Sequence, residues 1–312
     1  MSKSNLLIFG ATGAIGSYIA NAIASARDQF DRIAIFTSQT TLTSKTHEIN
    51  ALRSQGVDIL VGDVTSKHDV LKAFAGFDTV VSALGRGVIA HQIELIKWAD
   101  EDEHIKRFLP SEYGTDIEYG PQSKDEKPHQ QKLKVRAAIR ETKTLEYAFV
   151  VTGPYVDVPF YLGNSRNPRG GSWDVKNKKA VLLGDGEGRI SLVACADVGK
   201  FVVATLTHWE SARGRALKLN SFTTTPHEIL AEFEKQTGEK WSVEYTSLDQ
   251  LKAYEKEAWE EEQPDATGLT LRRIWTEGGT LYEKRDNGDI EAEETVTLEE
   301  AVREAIRAQT GQ

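Results

Sequence analysis

The sequence predicts an α/β chain, with a doubly wound parallel sheet first and a smaller α/β lobe behind it. Three observations carry this. Short apolar runs alternate with amphipathic stretches from Leu6 to Pro110, the pattern of repeated strand–helix–strand units. The first run, Leu6-Leu7-Ile8-Phe9, stops at a glycine-spaced turn that leads straight into a helical pattern. After about Gly153 the character changes: Pro154, Pro159 and Pro168 break the chain and the strands become shorter. We therefore expect a first domain over residues 1–155 and a second lobe over 156–312, parts of which pack back onto the sheet.

The turn after Phe9 reads Gly10-Ala11-Thr12-Gly13-Ala14-Ile15-Gly16. Gly10 permits the tight exit from the strand, Gly13 lets a ligand's phosphates approach the backbone, and Gly16 allows close packing of helix on sheet. Ile15, Ile19, Ala22, Ile23 and Ala26 recur at helical spacing, so one face of the following helix is apolar. Its N-terminus offers free N–H groups to an anion, and the whole unit points to a dinucleotide-binding (Rossmann) domain. Further strands are expected at Arg32–Phe36, Asp58–Val61, Thr79–Ser82 and Arg107–Leu109. Helices are expected over Thr46–Gln55, Lys67–Ala75 with Ser66 as cap, Val88–Asp102 and Pro128–Arg140. In the second lobe helices are expected at Asp197–His208, Pro226–Thr237 and Leu298–Ala308, with a loop over Gly163–Gly171. The Glu- and Lys-rich stretch from Tyr254 to Gln263 reads as a solvated helix face.

In such a sheet, ligands sit at the C-terminal ends of the strands. Functional residues are therefore expected after Phe9, Phe36, Val61, Ser82 and Leu109, and Ala83-Leu84-Gly85 falls directly behind the fourth strand. The loop after the second strand selects the dinucleotide, because NAD sites place an Asp or Glu there for the ribose hydroxyls. This chain has no acid between Arg32 and His47; Thr37, Ser38 and Lys45 offer hydroxyls and a cation instead, which favours the 2′-phosphate of NADP. Asp63 is expected either near the adenine or as a cap of the next helix.

The net charge of −9 argues against a nucleic-acid partner, since phosphate backbones demand clustered Lys and Arg. No apolar run approaches the ~18 residues of a membrane span, and a strand by residue 6 leaves no room for a signal peptide. The one cysteine, Cys195, lies in the apolar run Leu192–Ala196 and reads as a buried small hydrophobe. A cytoplasmic monomer or homodimer without a metal is expected.

Ordinary short-chain dehydrogenases reduce carbonyls with Tyr-x-x-x-Lys, and no tyrosine here has lysine four residues later. That also counts against a nucleotide-sugar epimerase. Another cation is available: on an ideal helix Lys132 lies about 20° around the axis from Ile139, on the side that carries Val135. Desolvation there would lower its pKa and make it a general base, with Lys134 and Arg136 as rivals and a snorkelling surface lysine as the alternative.

The glycine turn, the segment Phe108-Leu109-Pro110-Ser111-Glu112-Tyr113-Gly114 and the helix carrying Lys132-x-Lys134-Val135-Arg136 together resemble the isoflavone-reductase-like branch of the NmrA family. The motifs lie in the first 155 residues and thin out afterwards. The resemblance implies an atypical short-chain dehydrogenase that transfers hydride from NADPH to a small aromatic substrate, with Lys132 as the general base. It matches Lys45 to the family's 2′-phosphate lysine, but puts Thr37 where the family has arginine. It sets Gly153-Pro154-Tyr155 beside the nicotinamide, where the plant reductases have a different sequence. Phe160, Tyr161 and Trp173 are candidate walls of an aromatic pocket. The same family includes NADP-sensing regulators without turnover; these lack the lysine helix that this chain keeps.

Overall fold

The computed structural model describes residues 3–165 and 167–311. A parallel sheet is built from β1 (Asn5–Phe9), β2 (Arg32–Thr37), β3 (Asp58–Val61), β4 (Thr79–Ser82), β5 (Arg107–Leu109) and β6 (Glu146–Tyr147). Its strand order is β3-β2-β1-β4-β5-β6, so the chain reverses direction of growth at β1, as a doubly wound sheet does. After Ala148, β7 (Phe149–Val151) pairs in parallel with a strand from the second lobe, Ala216–Lys218.

Alternation along β1 explains why this sheet is covered on both sides. Leu6 and Ile8 enter one apolar core with Ile19 and Ile23, while Leu7 and Phe9 enter another with Val80, Phe108 and Ile139. Helices α1 (Gly16–Ser25), α2 (Gln39–Ser44), α3 (Thr46–Ser54), α4 (Lys67–Phe74), α5 (Gln92–Glu101) and α6 (Gln130–Arg140) follow the strands in turn. The next helix, α7 (Cys195–Thr207), belongs by sequence to the second lobe but packs along α1. A Cβ on Gly199 would stand 2.6 Å from the Tyr18 carbonyl oxygen, so only glycine lets the two helices approach this closely.

The second lobe has its own core around Trp173, Phe233, Trp241 and Val302. It rests on strands Ser172–Asp174, Lys179–Leu183 and Ser242–Thr246 and on helices Pro226–Thr237 and Leu298–Thr310. Between these two helices lie Leu248–Glu260 and Ala266–Thr276. Cys195 is buried, and its N–H donates to Asp157 at 2.8 Å.

Two expectations need correction. The polar loop after β2 is largely helix α2, because the Ser38 hydroxyl accepts the Thr41 N–H at 3.1 Å and supplies the missing N-cap. The helix expected from Val88 begins as a 3₁₀ segment, Arg86–His91, before α5 takes over at Gln92. The Glu- and Lys-rich stretch from Tyr254 is a solvated helix face as expected, with Lys256, Glu257 and Glu260 exposed; its helix starts at Leu248, capped by a Ser247–Gln250 box, and buries Leu251 and Ala258 on the other side.

Candidate active site

The glycine turn is dictated by its close contacts. Gly10 has φ +78°, and a Cβ there would lie 2.5 Å from the Ala83 carbonyl oxygen. At Gly16 a Cβ would lie 2.0 Å from the Gly10 oxygen, so the helix start is pressed onto the strand end. At Gly13 the nearest atom to a Cβ is that same oxygen at 3.3 Å, and the residue is exposed. The N–H groups of Thr12, Ala14 and Ile15 meet no acceptor among the described residues, and the first turn of α1 carries no acid. These features fit a dinucleotide diphosphate: free donors, a positive helix end and room for phosphate oxygens.

Beside the turn opens a cavity of about 520 Å³. Ala14 and Ile15 line it from the turn, and Leu84 and Gly85 from the end of β4. Gly153, Pro154 and Tyr155 line it from beyond β7. Ala83 packs behind this wall, against Gly10 and Gly16. Thr37, Ser38, Lys45 and Asp63 stand outside the cavity, at the ends of β2 and β3 and along α2. Thr37 is buried, Ser38 caps α2, and the exposed Lys45 pairs with Glu48 at 3.2 Å. Asp63 accepts the N–H and hydroxyl of Thr65, both at 2.8 Å, while Ser66 caps α4.

Lys132 enters the same cavity from α6. Val135 and Ile139 are buried beneath it, and its ammonium donates to the Glu112 carbonyl oxygen. Burial pushes its pKa down to about 8, with Arg86 and Arg136 assisting and Glu112 opposing. The rivals have other tasks. Lys134 is exposed, whereas Arg136 is fully buried and donates twice to the Glu112 carboxylate, at 3.0 and 3.2 Å. Its remaining nitrogen reaches Glu118 at 2.6 Å, and Arg140 grips Glu118 with two more bonds. Those bonds, first from Arg140, hold Glu118 down at about 2. The network ties the Ser111–Gly114 segment to α6, and so sets Lys132 against it.

That segment is constrained from every side. Ser111 accepts nothing from α6 but donates its N–H to Gln92 at 2.7 Å and its hydroxyl to the Leu84 carbonyl at 2.9 Å. Tyr113 holds φ +34°, strained for a side chain of its size, while its N–H donates to Val150 and its carbonyl accepts the Tyr155 hydroxyl. One turn before Lys132, His129 is buried and its Nδ1 bonds the Ser123 carbonyl at 3.1 Å. A carbonyl only accepts, so Nδ1 carries the proton and Nε2 is left as a buried lone pair without a partner among the described residues.

The far wall comes from the second lobe. Phe160 and Tyr161 line the cavity, whereas Trp173 does not: it stacks on Phe233 at 5.3 Å in that lobe's core. Ser111, in the segment singled out behind the fifth strand, lines the cavity, and so do Arg86, His129, Leu271, Arg272 and Trp275, which sequence reasoning passed over. The last three ride on the helix Ala266–Thr276, whose buried Ala266, Leu269 and Ile274 are the apolar signal that marks it. Trp275 donates its indole N–H to Thr115 at 2.9 Å, fastening this helix over the segment beside Lys132. Among the described residues, no helix is long and apolar enough to cross a membrane, and no cluster of three or more acidic, His or Cys groups is placed for a metal.

Residues 2–297 match the NmrA-like family. The chain belongs to that family. The match runs well past residue 155, beyond the motifs that first suggested it. Phenylcoumaran benzylic ether reductase IRL1 of Ginkgo biloba is 29% identical over 255 residues, covering 80% of this chain and 81% of that one. Isoflavone reductase of Medicago sativa is 28% identical over 309 residues, covering 94% of each chain. The solved binary complex of leucoanthocyanidin reductase with NADPH from Vitis vinifera shares the fold at TM-score 0.82 and 23% identity. It covers 97% of this chain and 99% of its own.

Proposed function

We propose that this NmrA-like protein is an NADPH-dependent reductase of a small aromatic substrate, with Lys132 as its general base. One observation carries the reading: a lysine brought down to about 8 stands in a cavity that joins the glycine turn to an aromatic wall. The names of its relatives, isoflavone and phenylcoumaran benzylic ether reductases, support it. NADP is favoured over NAD by the stretch from Thr37 to Lys45, which holds no carboxylate to repel a 2′-phosphate.

Residues 1–155 would hold the dinucleotide and residues 156–312 would cover the substrate. NADPH, when bound, supplies the hydride. The chain's own residues do the rest. The donors at the start of α1 would hold the diphosphate, with Ala83, Leu84 and Gly85 alongside, and Gly153, Pro154 and Tyr155 would flank the nicotinamide. Lys132, in its neutral form, removes a phenolic proton, and the Glu112 carbonyl aims its nitrogen. Phe160, Tyr161 and Trp275 exclude water and bracket an aromatic ring.

A screen of NADPH oxidation against phenolic ethers, isoflavones and quinones tests this. Turnover by the parent chain that is lost in Lys132→Ala, with NADPH binding retained, is the expected result. A fully active Lys132→Ala removes that residue from the mechanism. A parent that binds NADP tightly without turnover, and changes affinity for a protein partner with its redox state, would be a sensor instead.

A further inference from the structure

Two consecutive arginines on the helix Ala266–Thr276 have opposite surroundings. Arg273 is neutralised three times over, by Glu126 at 2.6 Å, Glu255 at 2.5 Å and Glu277 at 2.9 Å. Arg272 has no carboxylate within ion-pairing distance among the described residues. Its one side-chain hydrogen bond there is to the Phe160 carbonyl at 3.2 Å. The guanidinium lies over the rings of Tyr161, at 5.0 Å, and Trp275, at 5.9 Å, and burial lowers its pKa. A half-buried cation left with two ring faces and one carbonyl has donors still open toward the cavities it lines.

The position of Arg272 shows what those donors face. It stands in the wall between the 520 Å³ cavity and a neighbouring one of about 410 Å³, and lines both. Arg272 shares the larger cavity with Ala14 and Ile15, but the smaller one contains no residue of the glycine turn, so a ligand reaching Arg272 from that side would not be the dinucleotide diphosphate. Its one acid, Asp185, accepts the N–H of Glu187 at 2.9 Å within its own loop. In the larger cavity the one lining acid, Glu112, is already bound by Arg136, while Lys132 and Arg86 add positive charge. In a chain of net charge −9 this concentration of unpaired cations is local.

We propose that Arg272 is a carboxylate-binding residue, and that the ligand is an aromatic acid whose ring lies against Tyr161 and Trp275. The proposal rests on this cavity being the substrate site, as in the proposed function, but its test reads binding and needs no turnover. The full chain with NADPH is titrated by calorimetry with 4-hydroxycinnamate and with its methyl ester. The acid is expected to bind about tenfold or more tighter than the ester, the worth of one charge-assisted bond. Added salt should shrink that advantage. Arg272→Gln should erase it while leaving ester binding unchanged, and Arg272→Lys should restore part of it. Thermal melting of each variant reports whether it folds. The proposal is overturned by equal affinities in the parent, by no binding of the acid, by equal weakening of both probes in Arg272→Gln, or by loss of the preference in Arg86→Gln instead. If NADPH oxidation fails with every phenol while the acid preference stands, the reductase reading falls and this one survives.

Discussion

The two walls of the 520 Å³ cavity are built on different principles. On one side the glycine turn is a backbone device, in which a Cβ on Gly10 or Gly16 would stand 2.5 or 2.0 Å from a backbone oxygen, so that only glycine fits. On the other, the helix Ala266–Thr276 contributes Leu271, Arg272 and Trp275, side chains that reach the cavity because the helix docks there. The bend of the turn itself is set by near neighbours, Gly16 on the Gly10 oxygen, although Gly10 also presses on Ala83 at the end of β4. The second wall depends on partners far away, such as Thr115, which accepts the Trp275 indole N–H across 160 positions.

The largest effect should come from the backbone wall. Gly16→Val drives a side chain into the Gly10 carbonyl and should leave no folded, soluble protein by circular dichroism. Gly13→Val, whose Cβ would meet the Gly10 oxygen at 3.3 Å and need a shift of only a few tenths of an ångström, should fold and melt a little below the parent yet lose NADPH binding in a fluorescence titration. If both variants fold and bind, the turn is not the cofactor cradle.

Next comes the joint between the walls. Arg136→Ala leaves the Glu112 carboxylate buried without its partner, and should cost about 3–5 kcal/mol in a denaturant melt. An unchanged midpoint would mean that water reaches Glu112.

Lys132→Ala should lower kcat/KM by about 10²–10⁴-fold, the usual contribution of a positioned proton acceptor, with little change in melting temperature. The pH profile gives the sign. A base works only when neutral, so activity should rise with pH through about 8 and fall away below it as the ammonium is retained. A rate that is flat from pH 6 to pH 9 would exclude Lys132 as the base.

The smallest effect is expected outside the cavity. Lys45→Glu should weaken NADPH over NADH by a few-fold only, because Lys45 is exposed and already shares its charge with Glu48. Equal loss for both dinucleotides would show that the residue does not read the 2′-phosphate.

The strands Asp58–Val61, Thr79–Ser82 and Arg107–Leu109, and the helix Pro226–Thr237, stand where the sequence puts them, as do the sheet's parallel order and the cap at Ser66. Each is a local consequence of apolar periodicity, a glycine or proline boundary, or a short polar side chain beside free N–H groups. The side of α6 that carries Lys132 was legible for the same reason: Val135 and Ile139 mark the buried face. Tertiary structure decided everything that depends on which distant surfaces meet. Trp173 and Trp275 are both aromatic residues of the second lobe, yet one is stacked in its core and the other lines the cavity. Arg272 and Arg273 are the same side chain at adjacent positions, and the 100° that separates them on a helix turns one toward three glutamates and the other toward two empty volumes. Residue type sets the charge; only the docking of the helix sets its company.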